Sequence, residues 1–154
     1  MFILRLWPNV SGRRVLVDKP LVLRKIERIE TYLKQLRLRK DPGAARFIKD
    51  QDLQSIILFN LIQSIQTCID ICTHIVSDSG WEMPSSQGAL FEILAQNKII
   101  SNQLSKKMIQ MVGFRNRIIH EYEKVDLRIV YDVWRKNLGD IERFCKAIVL
   151  KFGL

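Results

Sequence analysis

From Val22 onward the apolar residues of this chain return at every third or fourth position, with no sustained strand-like alternation. Val22, Ile26, Ile29, Leu33 and Leu36 make the first such series. That spacing gathers side chains on one face of an α-helix, whereas a half-buried strand needs a period of two. The pattern therefore predicts an all-α chain. Asp41-Pro42-Gly43 ends the first helix near Arg39, since proline removes a donor and glycine releases the backbone. A second helix is predicted from about Ala44 to Ser77. Leu53, Ile57, Leu61, Cys68, Cys72 and Ile75 lie along one side of it, and Leu58, Ile62, Ile65, Ile69 and Val76 along another. Apolar residues on two sides imply burial on two sides, against the bundle core and a partner chain. Gln63, Gln66, Asp70 and His74 run between them as a polar stripe.

Asp78-Ser79-Gly80 breaks the second helix. Ser85 or Ser86 caps a short third, from about Gln87 to Gln96. A fourth helix is predicted from Ser101 to Tyr122, with Leu104, Met108, Met111, Ile118 and Tyr122 on its stripe; Arg115 takes the step where an apolar residue would continue it. A fifth spans about Asp126 to Phe152, with Val130, Trp134, Ile141, Phe144 or Cys145, and Ile148 facing inward and Gly139 as a weak point. Four long helices and one short one with brief connections predict an antiparallel four-helix bundle with an additional short helix, paired as a homodimer. Residues 1–17 show no period and read as a flexible N-terminal extension; 18–154 read as the helical domain.

With 154 residues, 47% of them hydrophobic, the chain suits one domain with a real core. The net charge of +9 is concentrated at one end: residues 1–40 hold eleven Lys and Arg against three Asp and Glu. Such a basic segment attracts nucleic acid or acidic partners, or simply solvates a helix face. Three cysteines, an odd count, argue against a disulfide framework and for a reducing, cytoplasmic setting. Cys68 and Cys72 share a helix face that His74 does not, so buried thiols are favoured over a metal site. The apolar run at Phe2-Ile3-Leu4 is interrupted by Arg5 and Pro8, which excludes a secretory signal of the usual kind. The longest apolar stretch, Ile56 to Val76, carries too many polar groups to sit in lipid, and no membrane role is expected.

The chemistry gathers in Phe114-Arg115-Asn116-Arg117-Ile118-Ile119-His120-Glu121-Tyr122. Arg115 offers a permanently charged planar fork for phosphate, and His120 a group that moves protons near neutral pH. Together they suffice to cleave RNA without a metal: a base takes the 2′-OH proton, an acid protonates the leaving oxygen, and a cation steadies the crowded phosphate. Asn116, four residues before His120, can hydrogen-bond the imidazole. Arg115 lies about 140° round the helix from His120, so one helix aims both at one target only with help. A second copy across a two-fold axis supplies that help and the second imidazole.

The string Arg115-Asn116-Arg117-Ile118-Ile119-His120-Glu121-Tyr122 resembles the Arg-x4-His-x-Tyr signature of HepT-type toxins in the HEPN superfamily. So do Val125-Asp126, the run Cys68-Ile69-Asp70-Ile71-Cys72-Thr73-His74-Ile75 and the opening Asp18-Lys19-Pro20-Leu21-Val22-Leu23-Arg24-Lys25-Ile26. The resemblance implies an all-helical homodimer with a composite cleft. It implies a metal-independent endoribonuclease serving as toxin of a type II-like toxin–antitoxin pair. Its antitoxin would be a minimal nucleotidyltransferase that spends ATP to place AMP on the motif tyrosine; the toxin itself needs no cofactor. Carried over, Arg115 and His120 are catalytic, Asn116 and Asp70 supporting, and Tyr122 the modified residue. The alternative is a non-catalytic HEPN module that assists a nucleotidyltransferase by binding nucleotide or partner.

Overall fold

The computed structural model describes residues 16–154. Among them seven α-helices follow in order: α1 Lys19–Leu38, α2 Ala44–Phe47, α3 Gln51–Asp78, α4 Gln87–Gln96, α5 Asn102–His120, α6 Leu127–Lys136 and α7 Leu138–Phe152. A 3-10 turn at Tyr122–Lys124 separates α5 from α6. The long helices form the expected antiparallel bundle: α1 packs on α3 and α7, and α5 packs on the same pair. The short α4 lies against α5 and α3.

Side-chain caps set most helix starts. Asp18, Asp50, Ser86 and Ser101 each accept a hydrogen bond from the backbone N–H three residues on, and Asp126 from the one two on. Each satisfies a donor that the first turn leaves without an intrahelical partner. Asp18 also ties the chain entry to the end of α3, its own N–H donating to Asp78 Oδ2 at 3.1 Å. Val17, expected to belong to a flexible extension, is half-buried against the core. The rest of that expectation, for residues 1–15, lies outside the described residues.

The inward stripes read from the sequence are buried as expected on α1, α6 and α7, and on α3 except for Leu53 and Ile62, which are half-buried. Three details differ. The helix expected over Ala44–Ser77 is two helices, because Asp50 caps α3 anew and Gln54 Nε2 donates to the carbonyls of Phe47 and Ile48 at 2.8 and 2.9 Å. The break lets the fully buried Phe47 pack against Tyr131 and Trp134 of α6. The last helix also divides, at Asn137, two residues before the glycine expected to weaken it. Gly139 instead leaves room for Arg143 to lie across α7 and reach the buried carboxylate of Asp140.

The third difference concerns assembly. Leu58, Ile65, Ile69 and Val76 are buried within the single chain, so the two-sided character of α3 is met by its own bundle and is no argument for a partner subunit. By length and composition α3 could cross a membrane, yet 61% of its most apolar window is buried inside the fold. It is the central helix of the bundle.

Candidate active site

Helix α5 carries the motif. Leu104, Met108, Met111, Val112 and Ile118 hold it to the core, which leaves Arg115 and Asn116 half-buried at the edge of that face. Arg115 reaches toward the first turn of α4. Its Nη1 donates to Asn116 Oδ1 at 2.9 Å and to Gln87 Oε1 at 3.4 Å. Its Nε is buried with no hydrogen-bond partner, and it joins no ion pair among the described residues. A guanidinium held only by neutral acceptors keeps its charge for an anion. Asn116, expected beside the imidazole, turns to Arg115 instead.

His120 is the last residue of α5, exposed and without a hydrogen-bonding partner among the described residues. The helix ends there because Glu121 leaves the helical region, at φ −132° and ψ 40°. Its N–H still donates to Arg117 O at 2.9 Å, and Lys124 N–H then donates to Glu121 O at 2.8 Å to close the tighter turn. Tyr122 therefore sits on the 3-10 turn and not on α5. It does not complete the apolar stripe: 63% of it is exposed, and its ring meets solvent. Exposed Ile119 and Ile129 flank this end of the molecule on α5 and α6.

Asp70 is placed apart from these groups in its bonding. Its Oδ1 accepts from Gln66 Nε2 at 2.8 Å and its Oδ2 lies 3.8 Å from Lys25 Nζ, so it braces α3 against α1. His74, on the same polar stripe, is half-buried. Cys68 and Cys72 are buried free thiols. Burial pushes both well above the ordinary thiol range, which suits packing and not ligation.

The motif thus offers a half-buried guanidinium at Arg115 with no ion pair among the described residues, an exposed imidazole and an exposed phenol, with Arg117, also outside any ion pair among the described residues, exposed beside them. Gln87 belongs to this constellation and was not singled out in the sequence. No local signal marks it, because a glutamine opening a surface helix is ordinary and its partner lies 28 residues on.

Residues 22–148 match the family model described as Ribonuclease HepT-like. The chain belongs to the HepT-like ribonuclease family. It is 34% identical over 128 residues to the mRNA nuclease HepT of Shewanella oneidensis, a span covering 83% of this chain and 96% of that protein. To the tRNA nuclease HepT of Aphanizomenon flos-aquae it is 27% identical over 116 residues, 75% of this chain and 78% of the relative. Its fold superposes on the tri-AMPylated Shewanella oneidensis HEPN toxin in complex with MNT antitoxin with a TM-score of 0.78 at 33% identity. That superposition covers 84% of this chain and 97% of the other.

Proposed function

We propose that this chain is the endoribonuclease toxin of a toxin–antitoxin pair and that it cleaves RNA without a metal ion in a cleft shared by two copies. The observation that carries the reading is the half-buried Arg115, with no ion pair to a carboxylate among the described residues, on the same helix as a solvent-open His120. One imidazole takes the proton of a ribose 2′-OH. The oxygen attacks the adjacent phosphorus, and the bond to the 5′ oxygen breaks as a second imidazole protonates it. The products are a 2′,3′-cyclic phosphate and a 5′-hydroxyl. Arg115 offsets the charge that builds on the non-bridging oxygens. Each chain has one motif histidine, so a symmetric pair supplies both acid and base. Asn116 supports the site through Arg115, and Asp70 through the bracing of α1 on α3.

The partner is a minimal nucleotidyltransferase antitoxin, which moves AMP from ATP to Tyr122 Oη with release of pyrophosphate. A phosphodiester at that exposed position adds negative charge and bulk beside the phosphate path and repels RNA. The protein acts in the cytoplasm, in keeping with three buried, unpaired cysteine thiols. The test is cleavage of RNA by purified protein in EDTA. Wild type cleaves; Arg115→Ala and His120→Ala do not, and each relieves growth arrest on expression. Cleavage that survives His120→Ala removes the mechanism. Tight binding to the nucleotidyltransferase by a protein that never cleaves favours the non-catalytic module.

A further inference from the structure

We infer that Gln87 is a positioning residue for Arg115, holding its guanidinium toward the RNA phosphate while leaving its charge intact. The inference rests on the ribonuclease reading above and extends it to a residue 28 positions before the motif.

Ser86 caps α4 by accepting from Ala89 N–H at 3.3 Å, which fixes where Gln87 enters the helix. Gly88 keeps this first turn close to α5: a Cβ there would lie 3.6 Å from Ile109 Cγ2. The Gln87 side chain then crosses to α5 and accepts from Arg115 Nη1. Asn116 accepts from the same nitrogen on the other side. Two amide oxygens thus orient one arm of the fork, and Nη2 has no protein partner among the described residues.

The choice of amide over acid decides what the site can bind. A carboxylate at position 87 would hold the guanidinium more firmly, since charge-assisted bonds are the stronger ones. It would also cancel the positive charge that a phosphodiester must meet. Glutamine supplies the acceptor without the charge.

Two substitutions separate these properties. Gln87→Met keeps the length and removes the acceptor; Gln87→Glu keeps the acceptor and adds a negative charge. The readouts are kcat/KM on unmodified RNA and affinity for a 2′-O-methyl RNA, which binds but lacks the attacking hydroxyl. Gln87→Met is expected to lower kcat/KM by up to about 10²-fold, the cost of a misplacement of about 1 Å in a site. Its melting temperature stays at the wild-type value, because Gln87 is exposed. Gln87→Glu is expected to weaken binding of the 2′-O-methyl RNA and to flatten the salt dependence by about 0.7 in slope, the loss of one phosphate contact on a single strand. In an Arg115→Ala background Gln87→Met has no further effect on binding, since a residue that acts through Arg115 has nothing left to position.

If wild type cleaves and Arg115→Ala does not, yet both Gln87 variants match wild type, the inference is overturned and the ribonuclease reading stands. An additive loss in the double variant overturns it too. If clean wild type cleaves no RNA, both fall.

Discussion

At the scale of the residue, the proposed chemistry sets a contrast between Arg115 and His120. The arginine is half-buried and restrained by two amides, while the histidine ends its helix in the open. A restrained cation is ready to meet a phosphate; an unrestrained imidazole waits for a substrate or a second subunit to fix it. His120→Ala is therefore expected to cost about 10²- to 10⁴-fold in cleavage rate, the usual worth of a general acid or base. It leaves the melting temperature unchanged, which circular dichroism would check. Tyr122→Phe should retain cleavage and lose AMP addition, seen as the absence of a mass shift after co-expression with the nucleotidyltransferase. The residue types and spacing of this site were legible in the chain. Their bonding was not: a period of 3.6 says which residues share a face, but not that Arg115 donates to its chain neighbour Asn116 and across to Gln87 of α4.

At the scale of the element, the junction of the α1–α2 connection with α6 shows how local breaks serve packing. Asp41 accepts from Gly43 N–H at 2.9 Å and from Tyr131 Oη at 2.7 Å, and lies 3.2 Å from Arg135 Nε. The Gly43 backbone donor, then the Tyr131 hydroxyl and the Arg135 charge, hold its carboxyl below the usual carboxylate range. In return, the hydrogen bond to Asp41 pushes the Tyr131 phenol up. The sign follows from linkage. A depressed carboxyl binds its proton less readily folded than unfolded, so its contribution is present above the unfolded value of about 3.9 and is lost as pH falls through the folded one. The difference in melting temperature between wild type and Asp41→Asn is expected to be largest near pH 7 and to shrink toward pH 3. A constant difference would remove the carboxylate as the cause.

The same region holds Trp134, whose Nε1 donates to Leu36 O at 2.9 Å in the buried core. Trp134→Phe leaves that carbonyl unpaired and is expected to cost about 1–3 kcal/mol in urea unfolding. The apolar stripes of α6 and α7 were readable as one helix. The division at Asn137 was not, because it is the packing of Trp134 on Phe47 and of Asp140 beneath Arg143 and Lys107 that sets the two axes. The weak helix preference of asparagine permits the break at Asn137, but one such residue does not by itself end a helix.

At the scale of the whole molecule, the composite site makes a prediction about numbers of imidazoles. A heterodimer with one wild-type subunit and one His120→Ala subunit, isolated by two affinity tags, is expected to cleave far below half the wild-type rate. Acid and base then come from different copies. A rate near half would mean that each subunit works alone. Burial of most of the apolar residues of α3 within a single chain gives this pairing no independent support, and the exposed Ile119, Tyr122 and Ile129 leave apolar area free at the motif end.

Periodicity and capping residues determined the helical class and the inward faces, because each depends on neighbours within a turn or two of the chain; the motif spacing singled out the residues proposed to react. Only the tertiary structure decided where long helices break, that both apolar sides of α3 are served by one bundle, and that Gln87 and Asn116 hold Arg115. Those outcomes depend on contacts between segments far apart in sequence, where the free energy of packing outweighs local preference.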